Sequence, residues 1–286
     1  MALLFIFLSQ TIHQFEGIFI KKYNSKYNYG GFIFTAIVSL FSMIFFIIYD
    51  VIADVNGLEF NYKLILYGIS AGIMFSLASL LTFIAMGCGS YVLSKLILSY
   101  GIVFTIGYGI YLGDSITVLG WIAIVLIIIS LFLVKGNEEE NTKVNLKWII
   151  TISLSVLFAG VFAILQKKQQ IVFEKKYDNE FMIITLGSSF IILLTIGLIK
   201  DRKHIIDILK HGSLYAAAGG ISNGVTNLLT LYLYSIAPLS FVSPVGAGVS
   251  IVISFIISKI LFKEKFSKLQ ILGVLIGMIS IVLFNL

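Results

Sequence analysis

Leu66–Thr82 reads LYGISAGIMFSLASLLT, and Leu214–Thr230 reads LYAAAGGISNGVTNLLT. Tyr67 aligns with Tyr215, Gly72 with Gly220, Ile73 with Ile221, and both copies end in Leu-Leu-Thr. Leucine matches carry little weight in an apolar chain. The informative part is a ridge of small residues four apart: Gly68, Gly72 and Ser76 in one copy, Ala216, Gly220 and Gly224 in the other. That spacing lies on one helical face, where small side chains let a second helix approach closely within lipid. A segment that recurs in both halves of a chain fixes its architecture.

The surrounding composition requires a membrane. Hydrophobic residues make up 59% of the 286, charged residues only 12%, and the mean hydropathy is +1.04. Ten apolar segments stand out, at residues 2–20, 32–52, 62–86, 91–112, 117–134, 147–169, 181–199, 212–235, 239–261 and 268–285. Each is close to the roughly 20 residues that cross a bilayer as a helix, and helices alone satisfy their own backbone there outside a closed barrel. The first segment has no basic residue before it and no small-residue cleavage site after it, so it reads as a span and not a signal peptide. A net charge of +6 in such a chain reports loop orientation and not nucleic-acid binding. The single cysteine, Cys88, excludes an internal disulfide.

The repeat extends well past the opening stretch. Ser90–Val134 aligns without gaps on Ser240–Phe284, placing Asp114 on Glu264, Thr117 on Ser267 and Ser130 on Ser280; Lys21-Lys22 aligns with Lys167-Lys168. The expectation is an all-α polytopic membrane protein of ten transmembrane helices. A first five-helix repeat covers residues 1–136, a polar linker 137–146, and a second repeat 147–286. An odd number of spans per repeat inverts the second repeat relative to the first, the plan of alternating-access carriers with a midplane site between the halves. Loops after odd-numbered segments hold Arg202 and 13 lysines; those after even-numbered segments hold Lys63, Lys167, Lys168, Lys175 and Lys176. This asymmetry places the odd loops in the cytoplasm and both termini outside. Asp114 and Glu264 read as members of short turns, with Thr117 and Ser267 as N-caps of the following helices.

Leu112-Gly113-Asp114-Ser115-Ile116-Thr117 and Phe262-Lys263-Glu264-Lys265-Phe266-Ser267, with Gln270, Gly273 and Gly277, resemble the acidic turn and glycine-bearing last helix of each repeat in EamA-type members of the drug/metabolite transporter superfamily. Gly101 and Ile251 stand where that family usually has a proline. The resemblance implies a ten-helix carrier of small metabolites in the cell membrane, the cytoplasmic membrane in a bacterium.

Polar side chains at membrane depth are costly and mark cavities or partners. Segment 1 carries Ser9, Gln10, His13, Gln14 and Glu16. His13 and Glu16 share a face, and His13 lies about 12 Å along the helix from Lys21, near the midplane. Histidine changes charge near neutral pH, so the pair is the candidate for proton coupling; the plainer alternative is a neutral, hydrogen-bonded imidazole. Lys95, about one turn into segment 4, either attracts an anionic group or snorkels to the nearer interface. Asn223 and Asn227, one turn apart in segment 8, either line a cavity or hydrogen-bond between helices. Their repeat counterparts are Phe75 and Ser79, so this polar face belongs to one half only, which favours the cavity.

The expected function is a secondary carrier, an exporter or exchanger, of a small amphipathic metabolite such as an amino acid. Its partners are that solute, protons and the lipid bilayer, with no nucleic acid. His13 and Glu16 would exchange the proton, and Lys95, Asn223 and Asn227 would orient the solute. A lipid flippase of the same fold is the alternative. A membrane-embedded enzyme is disfavoured, because there is no intramembrane carboxylate pair and no His-Glu-x-x-His zinc signature. No motif calls for a cofactor or a metal.

Overall fold

The structure, a computed structural model, describes residues 1–27, 29–53, 58–88, 91–135, 146–263 and 267–283. These form helices α1 (Ala2–Asn24), α2 (Gly31–Ala53), α3 (Tyr62–Cys88), α4 (Tyr91–Ser99), α5 (Ile102–Tyr111) and α6 (Val118–Lys135). After them come α7 (Leu146–Val172), α8 (Asp178–Lys200), α9 (Ile205–His211), α10 (Ser213–Ile236), α11 (Leu239–Ile257) and α12 (Lys268–Leu283). A π turn, Ser258–Phe262, extends α11. Linker residues 137–145 and Glu264 lie outside the described residues.

Six of these helical stretches are long and apolar enough to cross a membrane: α1, α2, α3, α7, α8, and α11 with its π turn. Shorter apolar stretches lie in Ile97–Tyr111, Val118–Ser130 and Ile271–Ser280. Two features depart from the sequence expectation. The fourth segment is broken at Tyr100-Gly101, where Tyr100 N–H donates to Ile97 O (3.0 Å) and Gly101 N–H to Leu98 O (3.2 Å). These three-residue bonds tighten the end of α4 into a 3₁₀-like turn before α5 starts. Glycine stands where the resembling family has proline, and it interrupts the helix as well. The basic stretch after segment 7 also contains the short helix α9, whose seven residues bury only Ile208; its apolar spacing is too brief to read from sequence.

Apolar side chains cover the outside as well as the core, as lipid requires. Val118, Trp121, Ile122, Val125, Ile129 and Phe132 form an exposed stripe along α6 at three- and four-residue spacing. Inside, α2 packs on α8, α6 on α12, α1 on α10, α3 on α7 and α8, and α10 on α2. The two small-residue ridges are the closest approaches. A methyl at Gly72 would sit 2.5 Å from the Thr185 carbonyl of α8; one at Gly220 would sit 2.5 Å from the Val38 carbonyl of α2. The ridges therefore do what their spacing predicts, each against the second helix of the opposite half.

In the first turn Thr117 caps as expected, and Asp114 adds a contact. Thr117 Oγ1 accepts the Gly120 N–H at 3.0 Å and caps α6. Asp114 reaches further: its Oδ2 accepts the Ser240 hydroxyl (2.9 Å) and N–H (3.2 Å) at the start of α11. A carboxylate there satisfies an orphan donor and complements the helix dipole.

Two lysines close helix ends in matching ways. Lys21 of α1 donates to Met86 O at 3.1 Å, near the end of α3. Lys167 of α7 donates to Tyr234 O at 2.7 Å, near the end of α10. Met86 and Tyr234 each lie four residues past the Thr that ends the aligned stretch. Lys21→Met and Lys167→Met are each expected to lower stability by about 1–2 kcal/mol through loss of a charged donor at a helix C-terminus. Thermal unfolding in detergent checks this against Lys22→Met, an exposed control that should stay at the wild-type midpoint.

Candidate functional site

Helix α1 presents two different polar faces, because Gln14 and Glu16 are separated by two residues and so point in different directions. Gln14 is fully buried against α4 and α11. Its Nε2 donates to Ser250 Oγ (3.0 Å), and its Oε1 accepts from Tyr91 OH (2.7 Å) and Ser254 Oγ (3.1 Å). That amide makes three hydrogen bonds to side chains, and it ties three helices together.

Glu16 faces α10. Its Oε2 accepts from Asn223 Nδ2 at 2.9 Å and lies 4.0 Å from His13 Nε2. Asn223 Oδ1 in turn accepts from Ser42 Oγ of α2 (3.2 Å) and Asn227 Nδ2 (2.9 Å). Asn227 Oδ1 accepts from Gln166 Nε2 of α7 at 2.9 Å. The chain Glu16–Asn223–Asn227–Gln166 thus runs through the interior from α1 through α10 to α7, with every member buried. Burial without water obliges each of these groups to find a protein partner.

A central cavity of about 220 Å³ lies beside this network. Helix α1 contributes Ser9, Gln10 and His13; Lys95 comes from α4, Gly101 and Thr105 from the break and from α5. The second half supplies Gly160 of α7, Thr230 and Tyr234 of α10, and Ser243 and Gly246 of α11. The wall therefore comes from both halves of the chain. Its charge-bearing groups are His13 and Lys95; among the described residues no aspartate or glutamate lines it. Two wider cavities, of about 760 and 590 Å³, open at the end where α10 finishes. The second of them shares Tyr234 with the central cavity.

The five candidates are thus divided. His13 and Lys95 line the cavity, with the His13 side chain 41% exposed. Glu16 sits between the cavity's His13 and the buried network. Asn223 and Asn227 are not cavity-lining: they bond to Glu16, Ser42 and Gln166 across helices, the alternative the sequence left open. The reason is their position, one turn apart on the α10 face turned to α1, α2 and α7. Nor do Glu16 and Lys95 form an ion pair among the described residues. Sequence reading passed over Gln166 and Ser42. The signal for Gln166 was a glutamine inside an apolar span; Ser42 gave none, since serine is ordinary at helix interfaces.

The family model for the EamA-like transporter family matches residues 146–286, which hold α7 to α12. No curated protein matches the sequence. Among solved structures, the crystal structure of one protein, described no further, superposes with a TM-score of 0.71 at 10% sequence identity, over 99% of this chain and 95% of that one. At that identity the likeness establishes the fold alone. It covers both halves, so the fold extends across the part that the family model leaves unmatched. With its apolar helices the chain is a multi-pass membrane protein, and its second half, residues 146–286, is that of an EamA-like transporter, a family of the drug/metabolite transporter superfamily.

Proposed function

We propose that the protein is a secondary carrier of a small amphipathic metabolite of amino-acid size, working by alternating access of the central cavity between two inverted five-helix repeats. On this reading α4–α5 and α11 with its π turn each make one span, α9 lies outside the bilayer, and ten spans result. The observation that carries the proposal is a cavity lined by both halves, with two basic groups inside an otherwise apolar protein. Charged groups at such depth mark solute or ion pathways.

The inverted repeat is supported by the packing. Exchanging the halves turns the α1·α10 pair into α7·α3, and α3·α8 into α10·α2, while α2·α8 and α6·α12 map onto themselves; all are close pairs. The Lys21–Met86 and Lys167–Tyr234 contacts are related in the same way. They lie at opposite ends of the helix bundle, as inversion demands. His13 and Glu16 carry the coupling: protons entering the cavity reach the imidazole, whose neighbour 4.0 Å away is the buried carboxylate. Lys95 meets the solute. Asn223 and Asn227 hold Glu16 in place.

Counterflow in proteoliposomes tests this, with labelled amino acids and organic acids offered outside vesicles loaded with the same unlabelled solutes. Transient accumulation of a label, absent from empty vesicles, is the expected result. Lack of accumulation of any solute by folded, inserted protein, together with scrambling of a fluorescent phospholipid, would replace the carrier with a flippase.

A further inference from the structure

We infer that the central cavity is built for a small organic carboxylate that carries no ammonium group of its own, bound through Lys95. The inference rests on reading this cavity as the solute site, and it narrows the solute from amino-acid-sized metabolites to one charge class. Lys95 is only 5% exposed, yet its ammonium has no hydrogen bond or ion pair among the described residues. The Tyr91 ring centroid lies 6.0 Å from the Nζ. The lysine does not snorkel to the surface. Its stem lies across α1 at Gly17, where a methyl group would stand 2.7 Å from Lys95 Cε and 3.1 Å from Tyr91 Cε2. The missing side chain at Gly17 thus leaves the space that lets the ammonium enter the cavity wall.

An ammonium held this way has no anion at ion-pair distance among the described residues, and burying one without a direct partner is expensive. Glu16, whose Oε2 accepts from Asn223, acts on Lys95 only from beyond ion-pair distance. The Ser9 hydroxyl, 1% exposed, is a second cavity group with no hydrogen-bond partner among the described residues. The ammonium in the cavity wall suits a carboxylate oxygen, and Ser9 lies on the same wall. His13 lies on the same wall.

The rest of the lining defines the remainder of the solute. Ile6, Leu98, Ile102, Leu233 and Val242 give it an apolar surface, interrupted by the neutral polar Gln10, Thr105, Thr230 and Ser243. Among the described residues no carboxylate lines it, so the ammonium of an amino acid would enter beside Lys95 and His13 with only neutral acceptors to meet it. A phosphate dianion is served best by arginine forks, and the only arginine, Arg202, is outside the cavity. The volume of about 220 Å³ is below the 300–1,000 Å³ of drug-sized sites. A monocarboxylate with a short apolar tail meets all of these conditions.

The test compares leucine with 4-methyl-2-oxopentanoate, which has the same carbon skeleton and carboxylate but an oxo group in place of the ammonium. Thermal unfolding of the purified full chain reads binding without requiring transport, because a ligand that binds only the folded state raises the midpoint. The oxo acid should raise it and leucine should not. Lys95→Met should weaken the oxo acid's apparent affinity by about 10–100-fold. Gly17→Ala, which pushes the Lys95 stem aside while leaving every cavity group present, should weaken it in the same direction and supplies the readout independently of Lys95→Met. The inference is overturned if leucine raises the midpoint as much as the oxo acid, if the oxo acid's effect survives both substitutions, or if the oxo acid has no effect. Counterflow separates the two claims. Leucine carried without the oxo acid overturns the carboxylate site and keeps the carrier. The oxo acid bound but never carried keeps the site and overturns the carrier.

Discussion

Gly220→Ala and Gly72→Ala should each destabilise the protein by about 1–3 kcal/mol, whereas Gly107→Ala should stabilise it by about 0.5–1 kcal/mol. The opposite signs follow from what a methyl meets. In a helix interior the change from glycine to alanine is ordinarily favourable, because glycine loses more backbone freedom on folding. Gly107 lies in α5 with nothing within 4 Å of an added methyl, so only that entropic gain operates. At Gly220 the methyl would stand 2.5 Å from the Val38 carbonyl and 2.8 Å from Phe41 Cβ. Backbone oxygen does not swing aside as a side chain does, so α10 and α2 must separate. That movement also strains the 2.7 Å bond from Ser42 Oγ to Gly220 O. Gly72 repeats the arrangement on α3, with the Thr185 carbonyl at 2.5 Å and Ser188 Oγ in the same space. Unfolding midpoints of the three variants in detergent decide the matter. Stabilisation at Gly72 and Gly220 similar to that at Gly107 would show that the ridges are not contact surfaces.

These ridges show why so much of the fold was legible in the sequence. Small residues four apart have one physical use in lipid, and finding them twice at matching positions gave both the repeat and the faces that meet. Six span positions were legible for the same reason: an apolar run near bilayer length has few other interpretations. The break at Gly101 was less so, because glycine in a membrane helix is common and breaks it only where the neighbours permit. Helix α9 was missed because seven residues hold too few periods for a pattern.

The site was legible in kind and not in arrangement. His13, Glu16 and Lys95 stood out because charge within a span is rare. Their division between a cavity and a buried network depends on helix rotation, which the sequence does not state. Asn223 and Asn227 illustrate this: the asymmetry between α10 and α3 is real, but it supports a bond to Glu16 and not a wall of the cavity. The partner that completes their network, Gln166 of α7, aligns with the apolar Ile20 of α1, so the repeat did not draw attention to it.

Replacing Glu16 by glutamine and by alanine should give two different losses, and the difference separates coupling from scaffolding. In Glu16→Gln the amide oxygen still accepts the Asn223 Nδ2 proton now held at 2.9 Å, so the network through Asn227 to Gln166 persists. Stability should stay near that of the wild type. What disappears is a group that can exchange a proton with His13, 4.0 Å away. Uptake in proteoliposomes should therefore continue down the solute gradient and cease to respond to an imposed pH gradient. His13→Ala should behave alike, since its half-open side chain contributes little to packing. Glu16→Ala removes the acceptor as well as the proton. Asn223 Nδ2 is then left unsatisfied inside the membrane, at about 1–3 kcal/mol, and both unfolding midpoint and transport should fall. A Glu16→Gln protein that follows a pH gradient as the wild type does would reduce Glu16 to an anchor for Asn223. Coupling would then have to pass through His13 and the solute's own carboxylate, the remaining proton-exchanging groups of the cavity.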